Sequence, residues 1–231
     1  MRSARVDRGD LAFTLAVTVI ALLPRLFVAV AWAREPVWDG HYYHFGATRI
    51  AAGLGYSEDV MVAGHPVWKA WCHYPVGLSG LLGLVYKVFG SSIAVAPIVN
   101  ALLGALLVGV VHRLARLVLS ENRSRIAATI AALHPGLIAY SAVVMTEPLA
   151  ALLIAVAALV AGLSRPRWGG ALAAGAVLGL ATLVRPSTLL ALPLLAVMGG
   201  RPWWRAMALA AVASVAALVV VSPWTLRNCR V

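Results

Sequence analysis

Asp39, Glu147, Arg185 and Arg227 stand at the edges of long apolar runs, where a charge is costly and needs a reason. A carboxylate at a membrane surface can act as a general base towards a lipid-borne substrate. Arg pairs well with phosphate oxygens, so two such cations suit an anionic ligand. Each has a plainer alternative. Asp39 can cap the helix that begins in Trp38-Asp39-Gly40-His41-Tyr42-Tyr43, and Thr146 or Glu147 can cap the one that Pro148 begins. Arg185 and Arg227 can snorkel to headgroups. Glu147 in an apolar setting can also bind a sugar hydroxyl, a cation or an amine. His41 and His44, with His65 and His73, are too loosely spaced for metal ligands, so no metal is expected. Gly53-Leu54-Gly55 lacks the strand–helix context of a nucleotide loop and reads as a turn. No Ser-His-Asp nucleophile arrangement occurs, and Arg25 interrupts the first apolar run.

The elements that must hold these residues follow from composition. Of 231 residues, 62% are hydrophobic and 12% charged, and the mean hydropathy is +0.89. That excludes a water-soluble globule, a disordered chain and a collagen-like one. The net charge of +11 lies between apolar runs, which points to membrane topology rather than nucleic acid. The expected fold is all-α, a polytopic transmembrane bundle of about seven spans in a single membrane domain over 1–231. Residues 1–10 form a cytoplasmic head, and a span runs from Leu11 to about Ala33. A signal peptide ending near Ala31-Trp32-Ala33 is the alternative, but the run is long for one and Pro24-Arg25 breaks it. Residues 34–91 form the first extracytoplasmic loop with interfacial helices, including one from Pro75 to Phe89 ended by Gly90. Further spans fill 92–222: Ile93–Val111, Ile126–Val144, Thr146–Leu163, Trp168–Val184, Leu189–Met198 and Met207–Val221, the last ending at Ser222-Pro223-Trp224.

Arg113, Arg116, Arg123, Arg125, Arg165, Arg167, Arg201 and Arg205 mark the cytoplasmic side. Asp39, Glu147, Arg185 and Arg227 fall on the opposite side, where orientation does not account for them. Cys72 and Cys229 share that side, so a disulfide between them stays open.

In order along the chain, these segments resemble the GT-C membrane glycosyltransferases, of the protein-mannosyltransferase and aminoarabinose-transferase type. Asp39-Gly40-His41-Tyr42-Tyr43 with Ala51-Ala52-Gly53-Leu54-Gly55-Tyr56 resembles their first outer loop, and His73-Tyr74-Pro75-Val76-Gly77 their Pro-Pro-Gly-Tyr-Pro segment. Leu133-His134-Pro135 through Ser141 and Thr146-Glu147-Pro148-Leu149 resembles their Pro…Tyr-Ser…Ser-Glu block. Leu183-Val184-Arg185-Pro186 and Pro223-Trp224-Thr225-Leu226-Arg227-Asn228 complete the series.

The resemblance implies inverting transfer of a sugar from a polyprenyl-phosphate donor to a lipid, glycan or protein acceptor outside the cytoplasm. Asp39 would be the general base and Glu147 its helper or a sugar ligand. Arg185 and Arg227 would hold the lipid phosphate, with Lys69 and Arg34 as further cations, and Tyr43, His73 and Tyr74 would line the substrate site. No cofactor is implied. Two departures stand out: relatives carry Asp-Glu where this chain has Asp39-Gly40, and they continue past Val231, which reads as a C-terminal truncation. A transporter or flippase, or a non-catalytic polyprenyl-lipid-binding subunit or remnant, are the competing readings. An Arg- and Ala-rich composition suggests a bacterial inner membrane, with the N-terminus cytoplasmic.

Overall fold

The computed structural model describes residues 8–164, 168–193 and 202–231. Nine α-helices occur among them. Helix α1 is Arg8–Ala31, α2 Asp39–Ala51, α3 Val76–Phe89, α4 Val95–Ala115 and α5 Glu121–Leu133. Helix α6 is Pro135–Ala139, α7 Glu147–Leu163, α8 Trp168–Val184 and α9 Trp203–Asn228. Short 3-10 turns cover Tyr140–Ala142 and Pro186–Ala191.

Helices α1, α4 and α9, of 24, 21 and 26 residues, are long and apolar enough to cross a bilayer. At about 1.5 Å per residue, each exceeds the roughly 30 Å hydrocarbon core. The shorter apolar helices α3, α7 and α8 have 14, 17 and 17 residues. Helix α4 is the central one: 56% of its apolar window is buried, against 22% in α1 and α9. Helices α8 and α9 meet through small residues, with Gly175 and Gly179 against the backbone at Ala213 and Ala217. Such residues let helices approach closely, which dispersion favours in lipid.

The structure departs from the sequence expectation in three places. Ile126–Val144 is not one rod: α5 stops at Leu133 because Pro135 cannot continue it, and His134 caps the short α6 by accepting from the Leu137 N–H. Ser222-Pro223-Trp224 does not end α9, which continues to Asn228. Pro223 leaves the Val219 carbonyl without its helical N–H, and the Ser222 hydroxyl donates to that carbonyl at 3.0 Å instead. The fold is also not purely α. Strands β1 (Ser57–Val62) and β2 (His65–Ala70) pair antiparallel, with Val62 opposite His65 across the Ala63-Gly64 turn. Both turn residues have positive φ, at 49° and 84°, as a two-residue hairpin turn requires. The expected Leu189–Met198 span runs into undescribed residues.

The helix ends sort to two poles. At one, Arg116 after α4 pairs with Asp10 in the first turn of α1, at 2.9 Å. At the other lie α2, the hairpin, the start of α7, the end of α8 and the end of α9. A core of Tyr43, Ala47, Leu78, Leu82, Val144 and Val184, among others, underlies this second pole.

Candidate functional site

Asp39 is the first residue of α2 and its side chain caps nothing. Its Oδ1 instead accepts from the Tyr74 hydroxyl at 3.0 Å. The residue before it, Trp38, holds φ 50° and ψ −130° while 86% exposed. A non-glycine residue in that region is strained, and such strain gathers at functional positions. Gly40 lets α2 pack on the Val144 backbone: a Cβ on residue 40 would lie 2.8 Å from the Val144 carbonyl oxygen.

Glu147 opens α7, where the helix dipole favours it, and the Thr146 side chain makes no cap. Its Oε1 accepts from Arg185 Nη1 at 2.6 Å, and its buried Oε2 has no partner among the described residues. Arg185 sits in extended backbone between α8 and the following turn. It is exposed, and Glu147 holds its pKa above the ordinary value. Gly77 brings the Tyr74 segment to the same place. A Cβ there would lie 2.7 Å from Leu183 C and Val184 N, so the start of α3 presses on the backbone just before Arg185.

Tyr43 joins the two halves. It is buried beneath Asp39 and beside Thr146, and its phenol is pushed up to about 12. Burial is the main cause, followed by the negative charges of Asp39 and Glu147. The phenol therefore stays protonated at neutral pH, within the field of both carboxylates. Tyr74, stacked on Tyr42 at 4.7 Å, is likewise raised, first by desolvation and then by Asp39.

Two clefts flank the Arg185 turn. One, of about 380 Å³, is lined by Glu147, Arg185 and Tyr140 together with apolar residues such as Ala150, Ile154 and Ala191. The other, of about 450 Å³, is lined by His73, Tyr74, Leu183, Pro186, Trp224 and Asn228, among others. His73 is thus near Tyr74, though its ring contact is to Trp71.

Arg227 is placed differently. Its Nη1 donates to Trp71 O and Nη2 to Tyr56 O, each at 2.6 Å, and its guanidinium covers the Trp224 ring at 4.5 Å. Those carbonyls flank the two ends of the hairpin, so Arg227 ties the end of α9 to it. Lys69 is exposed on β2 opposite Glu58, and Arg34 is exposed before α2. Cys72 and Cys229 are both free. Sequence reading missed Trp38, Thr146 and the reason for Gly40. It also passed over Arg49, which grips Asp59 bidentately at 2.7 and 2.9 Å beside the site. An Arg eight residues before Ser57 carried no motif to reveal it.

Comparison with known proteins fits this arrangement. No curated protein matches the chain. The family of dolichyl-phosphate-mannose-protein mannosyltransferases matches residues 73–226, about two thirds of the sequence. That stretch holds Tyr74, Glu147 and Arg185 and begins after Asp39. With apolar helices long enough to cross a bilayer and a match of this extent, the chain belongs to the dolichyl-phosphate-mannose-protein mannosyltransferase family and is a GT-C-type membrane glycosyltransferase.

Proposed function

We propose that the protein transfers a sugar from a polyprenyl-phosphate donor to a hydroxyl acceptor at the extracytoplasmic face of a bacterial inner membrane, with its N-terminus cytoplasmic. The observation that supports this reading is that Asp39 and the Glu147–Arg185 pair both act on the buried Tyr43, with Gly40 packed against Val144, beside a cleft lined by Glu147, Arg185 and apolar side chains. Asp39 takes the proton of the acceptor hydroxyl. The acceptor oxygen bonds to the anomeric carbon from the face opposite the phosphate, so the configuration inverts. The sugar–phosphate bond breaks, and its electron pair leaves on the phosphate oxygen. Arg185 stands where that negative charge develops, the place at which a fixed cation lowers a barrier most. Glu147, whose Oε2 has no partner among the described residues, receives sugar hydroxyls. The Tyr74 hydroxyl donates to the Asp39 carboxylate and orients it. The phosphate role falls to Arg185 rather than Arg227, whose two Nη atoms are engaged with carbonyls.

The test uses purified protein, polyprenyl-phosphate-[³H]mannose and a membrane extract as acceptor source. Release of polyprenyl phosphate with label in product is expected. Asp39→Asn should cut it by about a hundredfold or more, the scale of losing a general base. Undiminished transfer in a folded Asp39→Asn protein would remove Asp39 as the base. Movement of the labelled lipid across sealed vesicles with no glycosidic product would replace transfer with transport.

A further inference from the structure

Between Leu133 and Glu147 the chain is broken into the short α6, a 3-10 turn and four non-helical residues that lead into Glu147. Three groups outside the site hold it. Arg25 in the middle of α1 is fully buried. Its Nη1 donates to Ala132 O at 2.9 Å and its Nη2 to Ala131 O at 3.1 Å, satisfying carbonyls that the end of α5 leaves open. Gly104 of α4 makes the space: a Cβ there would lie 3.1 Å from Arg25 Nε. One turn before Gly104, buried Asn100 donates Nδ2–H to Val143 O at 2.6 Å. The next residue, Val144, presses its carbonyl on Gly40, Thr146 faces Tyr43, and Glu147 follows.

Asn100 is therefore separated from Glu147 by a single non-helical stretch of four residues, in which Val143 O also accepts from the Met145 N–H at 3.1 Å. An amide in an apolar helix is costly unless it is bonded, and this one spends its donor on that stretch. We propose that Asn100, with Arg25 anchoring the upstream end, is a positioning residue for Glu147: it fixes the Val143–Thr146 backbone so that Glu147 meets Arg185 and Asp39 in one site. This rests on the catalytic reading of Glu147 given above.

The test is a double-mutant cycle of Asn100→Ala and Glu147→Gln in the full chain, read by the mannose-lipid assay. Asn100→Ala alone should lower kcat/KM for the mannose lipid by about ten- to a hundredfold, the scale of a displacement near 1 Å. In the Glu147→Gln background it should cost little more, because groups acting as one unit are not additive. Fully multiplicative losses would overturn the positioning role while leaving Glu147 catalytic. No effect of Glu147→Gln alone would overturn the catalytic reading itself. Hydrogen exchange supplies a readout independent of turnover. Asn100→Ala should speed exchange over residues 141–149 and leave α9 unchanged; unchanged exchange over 141–149 overturns the proposal. Should Asn100→Ala not fold, Asn100→Ser keeps a donor of shorter reach, and the same cycle and exchange criteria decide.

Discussion

At the scale of single residues, charge is the informative quantity, and its meaning depends on where the partner lies. The Glu147–Arg185 pair is partly open to solvent, with side chains 30% and 47% exposed. Such a pair contributes at most about 1 kcal/mol to stability. The proposed binding role of this pair, which lines a cleft, is therefore separable from stability by experiment. Arg185→Ala should leave the thermal midpoint in detergent within about 2 °C, while the KM for a polyprenyl-phosphate sugar rises at least about tenfold. A large fall in midpoint with unchanged KM would make the pair structural. Arg227 shows the opposite case, because its donors are engaged with main-chain carbonyls before any ligand arrives.

At the scale of elements, the site depends on close approach between short segments. Gly77→Leu places a side chain into the backbone of Leu183 and Val184, both within 2.7 Å of the first added carbon. It should separate Tyr74 from Arg185 and abolish transfer, with residual folding checked by circular dichroism. The hairpin makes a pH prediction. Arg49 bonds to Asp59 and holds its carboxyl below the usual carboxylate range. A carboxyl lowered on folding adds stability that is complete above its unfolded value of about 3.9 and is lost as pH falls through the folded value. Tryptophan emission from Trp68, which lies opposite Asp59 in the hairpin, should therefore shift below about pH 4 and not between 5 and 8. Asp59→Asn should remove the acid shift; its persistence there would assign the transition to another group.

At the scale of the whole molecule, the last helix is tied to the hairpin. Arg227 lies near the end of α9, yet it bonds to residues 56 and 71, which bracket the hairpin. Charge-assisted bonds to neutral acceptors are worth about 1.5–3 kcal/mol each. Arg227→Ala should therefore cost about 3 kcal/mol or more and loosen the hairpin, seen as faster proteolysis at Ala63-Gly64. Arg227→Lys should restore only part of this, since one ammonium cannot span two carbonyls as a planar fork does. Equal protection in Arg227→Ala would show that the hairpin stands without the latch.

Much of the helical frame was legible in residue order: α3 between Pro75 and Gly90, and α8 over Trp168–Val184, follow from hydropathy and end signals that act locally. The sorting of Asp39, Glu147, Arg185 and Arg227 to one pole was legible too, because apolar length fixes which charges share a side. Family membership was carried by short blocks such as Leu183-Val184-Arg185-Pro186, and the comparison bears it out. Other facts needed the folded chain. Asp39 bonds to Tyr74 rather than capping α2, Arg227 spends its donors on Tyr56 and Trp71, and Gly40 exists to admit Val144. Each depends on a contact between segments far apart in sequence, and no local pattern encodes which carbonyl a guanidinium will find. The sequence by itself determined which residues resist the membrane; tertiary structure decided which of them meet, because meeting is set by packing distance and not by order.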